Sequence, residues 1–501
     1  MMTLSRTLQR ALVVIFLCVP AGVYAVAWLL PAIGLDHDDA GYLVTAGAMT
    51  SGHGYTIENL PHPIPQTAFP PLFPALLALF SLVSRQPQWL KALPLACAVG
   101  WLILTYRLLR KMGASTLAAL LLVVLTALSP TVISLSTNLL PETTFALLVM
   151  AALLALLEER ALLAGIFAGL ATLTMTAGVA LLAACILTLV ARQRFRRAMI
   201  FAAVAMAITA PWFGWSLAQI THDASHSGAP ATNIFNGLAA SEKLVVLGRN
   251  VVSLLESPLS LLTGLHNVYF VVAGAIILIW CFWVRRQFLP DLFVLLYSLT
   301  LACLVSPPER AMIVALPLIF WIIWRVLRLI ATREALAAIA LIVAGFPIWA
   351  DARNIVPARN NGDWGIDGAA ADNWSRMQKL FGFIRANTAP DDILLADLDG
   401  TFFLNTGRKT TRGFVFDAFD LFYAPRSSTV TPDRLLNTIV QQKVNYLVLT
   451  PDRGRAETGL FHRSVEALER GGVVDPVSVP GTSPDYMLFK VVAHGVPGDR
   501  N

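Results

Sequence analysis

The chain has 501 residues, of which 56% are hydrophobic and 14% charged, with a formal net charge of +6 and a mean hydropathy of +0.66. Soluble domains average about 25% charged residues, so this composition excludes a wholly soluble protein and puts most of the chain in lipid. The basic residues fall in short breaks between apolar runs, without an aromatic-interleaved patch, which fits loops on the cytoplasmic side of a membrane and excludes nucleic acid as a partner.

Arg6 and Arg10 precede the apolar run Ala11 to Leu30. Ala25-Val26-Ala27 offers a weak cleavage pattern, but the many apolar segments that follow favour an uncleaved first transmembrane helix over a signal peptide. A helix needs about 20 apolar residues to cross, fewer where neighbours shelter it. Spans are expected near 11–31, 90–110, 116–135, 142–157, 161–175, 177–191, 198–216, 267–284, 288–305, 311–328 and 334–350. Segment 71–84 is read as interfacial, because a crossing there would carry Arg107, Arg110 and Lys111 outside. Without it, the clusters Arg6/Arg10, Arg107/Arg110/Lys111, Arg192/Arg194/Arg196/Arg197, Arg285/Arg286 and Arg325/Arg328/Arg333 all lie on one side. The expectation is a polytopic α-helical membrane protein with eleven spans, its N-terminus cytoplasmic and its C-terminus extracytoplasmic.

Segments 161–175 and 177–191 are thin for crossings; LAGIFAGLATLTMTAG carries small residues that permit close helix contact, and a packed hairpin is expected rather than one long helix. The first outer loop, 32–89, follows a chain that holds no Lys or Arg from Ala11 to Ser84 but does hold Asp36, Asp38, Asp39 and Glu58. Within it AGYLVTAGAMTS suits a short surface helix. A long outer loop is expected over 217–265, either solvated or a lid. Beyond Ala350 the composition turns polar. Helix-like WSRMQKLFGFIRAN, TPDRLLNTIVQQ and HRSVEALERGG alternate with strand-like DILLAD, VNYLVLT and YMLFKVV, which predicts a small soluble α/β domain over 351–501, after a membrane domain over 1–350.

The five cysteines lie inside apolar runs without CxxC spacing and read as small buried hydrophobes. The ionisable residues at the outer ends of spans are more informative: Asp38 and Asp39 after the first span, Glu142 in LLPETTF, and Arg310 in SPPERAM. Such groups at membrane depth are costly and are functional candidates. Each also has a structural role open to it. Asp38 or Asp39 would cap the helix starting near Ala40, and Glu142 follows Pro141 in a first turn where the helix dipole favours an anion.

HDDAGYLVTAGAMTSGHGYT followed by AFPPLFPALLALF resembles the first outer loop of the GT-C glycosyltransferases, in the branch holding protein O-mannosyltransferases and the lipid A aminoarabinose transferase. The shared pattern is a paired acid, a Tyr three residues beyond it and a Pro-Pro-Leu segment: here Asp38, Asp39, Tyr42, Pro70, Pro71 and Leu72. LSTNLLPETTFALL resembles that branch's second acidic site, PPERAMIVALPLIF its late basic motif, and ANTAPDDILLADLDGTFFLNTGRKTTRGF the start of its outer domain. The resemblance implies a glycosyltransferase of the bacterial inner membrane that moves a sugar from a polyprenyl phosphate to an envelope glycan, lipid or protein acceptor, with inversion. It implies Asp38 as base, Asp39 and Glu142 as orienting acids, Tyr42 near the substrate and Arg310 on the phosphate. Gly41, Phe69 and Met175 stand where that branch commonly carries cations. The donor is then held differently, with Lys243, Arg249 or Arg353 and His62 as further binding candidates, or the donor differs. All eight histidines fall on the outer side, and His222 and His226 are four apart, but HxxxH alone is weak and no cofactor or metal is expected. A transporter and a catalytically silent scaffold with a partner-binding outer domain are the alternatives; the first would need broken or charged helices near the midplane.

Overall fold

This computed structural model describes residues 6–35, 37–220, 238–263, 266–267, 269–272, 274, 288–304, 306, 308–330, 332–364, 374–412, 423, 430–451, 456–482 and 486–492. The expected span at 267–284 and the pair His222 and His226 lie largely or wholly outside these residues.

Helix α1 (Arg6–Leu29) leads through a short loop to α2 (Asp38–Thr50), a short helix over AGYLVTAGAMTS whose residues are largely buried. A two-stranded hairpin follows, β1 (Thr56–Ile57) against β2 (Ile64–Pro65). Then come α3 (Leu72–Val83), α4 (Pro87–Lys111), α5 (Thr116–Ala127), α6 (Pro130–Thr137), α7 (Glu142–Leu157), α8 (Ala161–Thr172), α9 (Val179–Ala191) and α10 (Phe195–Ile220). The expected span at 116–135 is broken: α5 and α6 meet at 67°. Ser129 caps α6, its hydroxyl also donates to the Leu261 carbonyl at 2.6 Å, and Pro130 begins the new helix.

At the centre stands α7, with Phe145, Val149, Met150, Ala152 and Leu153 fully buried between α4 and α8. The small residues of α8 do allow a close approach, but to α10 more than to α9. A Cβ added to Gly165 would lie 2.8 Å from the Phe201 carbonyl oxygen, so only glycine lets these backbones meet. The chain does break between α8 and α9 at Leu173–Met175, as the hairpin reading expected. At the foot of α7, Glu158 pairs with Lys111 at 3.8 Å, and Glu159 pairs with Arg194 and with Arg197. These basic residues are therefore at the far end of α7 from Glu142, ~24 Å away at 1.5 Å per residue.

The expectation of a loop over 217–265 is corrected across 240–263, which forms α11 (Ala240–Thr263). Apolar residues recur there at helical spacing between polar ones, which favours an amphipathic helix over a solvated loop. Further helices among the described residues are α12 (Phe288–Ala302), a single turn α13 (Glu309–Met312), α14 (Leu316–Ile330), and α15 (Arg333–Asn361), which runs through position 350 without a break. Among the described helices, α4, α10 and α11 are long and apolar enough to cross a membrane, and the bent α5–α6 pair qualifies jointly. Other apolar helices, α7 and α8 among them, have 10–17 residues, short of the ~20 needed for an unsheltered crossing.

The C-terminal residues form a mixed five-stranded sheet in the order β4-β3-β5-β7-β6. Its strands are β3 (Leu394–Ala396), β4 (Thr410–Thr411), β5 (Tyr446–Leu449), β6 (Val474–Val477) and β7 (Met487–Val491). Strand β3 is parallel to β4 and β5, and β7 is antiparallel to β5 and β6. Helix α16 (Trp374–Asn387) presents Trp374, Met377, Leu380, Phe381 and Ile384 to one face of the sheet at i, i+3 and i+4 spacing. Ala32 and Leu35, from the loop between α1 and α2, complete that same cluster. Helix α17 (Asp399–Thr406) follows β3 and packs on α2; α18 (Pro432–Gln441) and α19 (Ala456–Arg470) cover the opposite face.

Candidate active site

Three helix starts converge at one end of the bundle. Asp38 is the first residue of α2, Glu142 the first of α7 after Pro141, and Arg310 lies in the first turn of α13 after Pro308. Both prolines sit at the N-cap, where a missing N–H costs nothing. The guanidinium of Arg310 joins the other two: Nη2 meets Asp38 Oδ2 at 2.9 Å, and Nε donates to Glu142 Oε1. The environments are graded, since the side chains of Asp38, Arg310 and Glu142 are 42%, 26% and 1% exposed. Glu142 Oε2 is buried with no hydrogen-bond partner among the described residues. A carboxylate with one oxygen held and one unmet is an unusual expense in a buried place. It fits a site whose remaining partner is a substrate.

Tyr42 lies one turn along α2 from Asp38. Its ring packs on Phe69 with centroids 4.3 Å apart and meets the edge of Phe73 at 5.2 Å. Burial raises the phenol well above its ordinary pKa, and the charges of Asp38 and Glu142 add to the rise, so it remains a neutral donor. On the other flank Tyr297 donates to the Ala311 carbonyl at 2.9 Å, beside Arg310. Ser253 of α11 donates to Glu309 at 2.6 Å, which seats α11 against the same turn.

The structure thus brings together Asp38, Glu142, Arg310 and Tyr42, and it separates the remaining candidates. Asp39 is 1% exposed and accepts from the backbone N–H groups of Gly34 at 2.6 Å and Ala40 at 2.8 Å. These bonds tie Asp39 to the loop before α2. The two acids are consecutive on a helix and point about 100° apart, which a sequence motif does not resolve. Arg249 donates to the Tyr423 carbonyl. Lys243 lies ten residues from Ser253 on α11, ~15 Å along the axis. His62 is exposed in the β1–β2 hairpin loop, and the exposed Arg353 lies over the Trp349 ring at 5.6 Å. None of these four is joined to the ion triad by a contact described here. Among the described residues no group of three or more His, Cys, Asp or Glu is placed to hold a metal.

Two of the positions expected to be basic face each other. A Cβ on Gly41 would lie 2.8 Å from Phe69 Cε2, so the Phe69 ring occupies the space over Gly41. Tyr55 donates to the Phe69 carbonyl at 2.8 Å and meets Trp212 and Trp215 edge-on at 5.6 and 5.9 Å. An aromatic wall, not a set of cations, therefore leads away from Tyr42. Sequence reasoning also passed over Lys91, which is 1% exposed and donates to the Leu30 carbonyl at 2.9 Å. A lone lysine at the start of an apolar span was the signal available.

Residues 68–307, just under half of the chain, match the family profile of glycosyltransferase family 87. The fold is similar to that of ArnT from Cupriavidus metallidurans bound to undecaprenyl phosphate, with a TM-score of 0.59 and 13% identity over 96% of this chain and 98% of that one. The apo state of the same protein aligns with a TM-score of 0.58 and 14% identity over the same shares of both chains. The arabinofuranosyltransferase AftD from Mycobacteria gives a TM-score of 0.44 and 15% identity over 95% of this chain and 41% of that one. No curated protein sequence matches the chain.

Proposed function

We propose that the chain is a GT-C membrane glycosyltransferase that moves a sugar from a polyprenyl-phosphate donor to an acceptor hydroxyl at the triad end of the bundle, with inversion; the family 87 match over 68–307 and the ArnT-like fold support this reading. The observation that carries this reading is Arg310 shared between an exposed carboxylate, Asp38, and a buried one, Glu142, whose second oxygen has no partner among the described residues. The ArnT structure bound to undecaprenyl phosphate supports a lipid phosphate as donor.

Inversion needs one displacement. The acceptor oxygen attacks the anomeric carbon while the bond from that carbon to the phosphate oxygen breaks, and the phosphate leaves with the electron pair. Asp38, the exposed acid, takes the acceptor's proton. The leaving group is already stable as an anion, so it needs charge stabilisation and not a strong acid. Arg310 supplies it: a guanidinium has five N–H groups, and its two ion pairs engage Nε and Nη2. The start of α13 adds the positive end of a helix turn. Glu142 holds Arg310 in place, and the Tyr42 phenol is a neutral donor to the sugar or its phosphate.

In this reading 1–350 is the catalytic membrane domain, and 351–501 is an extracytoplasmic α/β domain on a protein of the bacterial inner membrane. Eleven crossings follow if α3 and α11 lie along the rim. In favour of that placement for α11, it touches Tyr423 through Arg249, Glu309 through Ser253 and the start of α6 through Leu261. The envelope acceptor, whether glycan, lipid or protein, would approach beside Asp38. The test is transfer of labelled sugar from a panel of polyprenyl-phosphate sugars to envelope acceptors by purified full-length protein and by Asp38→Asn. Loss of a base costs about 10²–10⁴-fold in rate, so transfer by wild type and a fall of that size in the variant are expected. Equal transfer by both would overturn Asp38 as base.

A further inference from the structure

His37, immediately before the reactive Asp38, is one of four non-glycine residues with positive φ among the described residues, at φ 67° and ψ −54°. This is near γ-turn geometry, which is strained for an L-residue. It is also consequential, because the first turn of α2 closes on it: the Gly41 N–H donates to the His37 carbonyl at 3.0 Å. The direction in which Asp38 leaves the helix start depends on this one peptide.

The strained residue is held from the C-terminal domain. Arg412 Nη2 donates to His37 Nδ1 at 3.2 Å, and the same guanidinium donates through Nε to Asp399 Oδ1 at 2.9 Å. Asp399 is almost fully buried and is 3.9 Å from His37 Nδ1. Its other oxygen accepts from the Asn59 amide at 2.9 Å, and that amide also reaches Thr410 Oγ1 at 3.0 Å. Around this set the backbone of the first outer loop is pinned to the sheet. The Thr410 N–H donates to the Asn59 carbonyl at 2.7 Å, Lys409 Nζ to the Glu58 carbonyl, and Thr401 Oγ1 to the Gly34 carbonyl. Helices α17 and α2 meet tightly enough that a Cβ on Gly400 would lie 3.1 Å from the Ala40 Cβ.

We propose that the C-terminal domain is a positioning clamp for the reaction: Arg412, fixed by Asp399, which Asn59 also holds, keeps His37 in its positive-φ, γ-turn-like conformation and so aims Asp38 at the Arg310 and Glu142 end of the site. Arg412 and His37 are positioning residues, and the proposal rests on the reading of Asp38 as base. The energetic logic is that backbone strain persists only where the surroundings over-determine it. A simple docking contact would hold the domain on without needing the strained peptide, and the Lys409 contact provides that comparison.

The experiment uses the full-length protein in detergent, measuring transfer kinetics together with amide exchange over residues 38–42. A small misplacement of a reacting group costs up to about 10²-fold in rate. Arg412→Ala is therefore expected to lower kcat by about 10–100-fold, with KM for the donor nearly unchanged and with faster exchange at Gly41. Lys409→Ala is expected to do neither. Adding His37→Gly to Arg412→Ala should restore part of the lost kcat, since glycine takes positive φ without penalty. If Arg412→Ala does not fold, Arg412→Lys keeps a charge beside Asp399 but loses the forked reach to His37, and a change in the same direction is expected. Unchanged kcat with unchanged exchange in either arginine variant overturns the clamp. If wild type transfers nothing across the donor panel, the glycosyltransfer reading fails on its own, and the exchange comparison still decides whether Arg412 holds the start of α2.

Discussion

Replacing Arg310 by methionine probes how the buried acid is kept. In the native protein Glu142 is 1% exposed and, among the described residues, pairs with Arg310 alone, while Asp38, at 42% exposure, reaches solvent. Loss of the arginine costs little on the Asp38 side, about 0–1 kcal/mol, as for any exposed pair. On the Glu142 side it leaves a buried carboxylate uncompensated, a change that typically destabilises by about 3–5 kcal/mol. Replacing both members, as Arg310→Met with Glu142→Leu, removes the orphaned charge and should recover most of that loss. The double variant is then more stable than Arg310→Met alone. Thermal unfolding in detergent, followed by loss of helical signal, gives the order of apparent melting temperatures, which is the quantity to read where unfolding is irreversible. Transfer should be abolished in both variants, since both lack the group that meets the phosphate. A double variant no more stable than the single would refute the argument that Arg310 compensates a buried Glu142, as would a single variant that melts with the wild type.

Asp39→Ala should behave unlike Asp38→Asn, although the residues are adjacent: it strips the buried Gly34 N–H of its acceptor, a loss worth about 1–3 kcal/mol, so folding yield and melting temperature fall, whereas Asp38→Asn loses rate with its melting temperature nearly unchanged. A normally stable but inactive Asp39→Ala would return Asp39 to the chemistry. The clamp also has a defined pH range. Burial opposes ionisation of Asp399, but Arg412, His37 and Asn59 outweigh it and hold its pKa below the ordinary carboxylate value. A depressed folded value means that the stabilisation is complete above the ordinary pKa of ~3.9 and is lost as pH falls through the folded value. Amide exchange over residues 394–412 should therefore quicken as pH falls below about 4; exchange that stays unchanged down to the acid limit of folding would contradict the assignment.

The charged residues of the candidate site are conspicuous in the sequence, because membrane chains place ionisable residues sparingly. Glu142 and Arg310 stood out by lying at span ends, and they now share an ion pair. The reasoning was weaker wherever one-dimensional spacing had to stand for direction. Asp38 and Asp39 are indistinguishable in a motif, yet one meets Arg310 and the other turns into the Gly34 amide. Lys243 and Arg249 fall in the expected outer loop 217–265, whereas the structure puts both on α11 and joins Arg249 to the Tyr423 carbonyl. His62 sits exposed in a hairpin.

Composition and hydropathy by themselves determined that this is a polytopic helical protein followed by an α/β segment, since lipid leaves the backbone few other ways to satisfy its hydrogen bonds. They also determined which ends of the apolar runs carry charge. Tertiary structure alone decided which charges meet. Asp38, Glu142 and Arg310 are separated by 104 and 168 positions along the chain, and His37 and Arg412 by 375. No local pattern encodes such pairs. They arise because three helix starts, two of them preceded by proline, and one sheet edge docked on the first outer loop, are packed to the same end of the bundle.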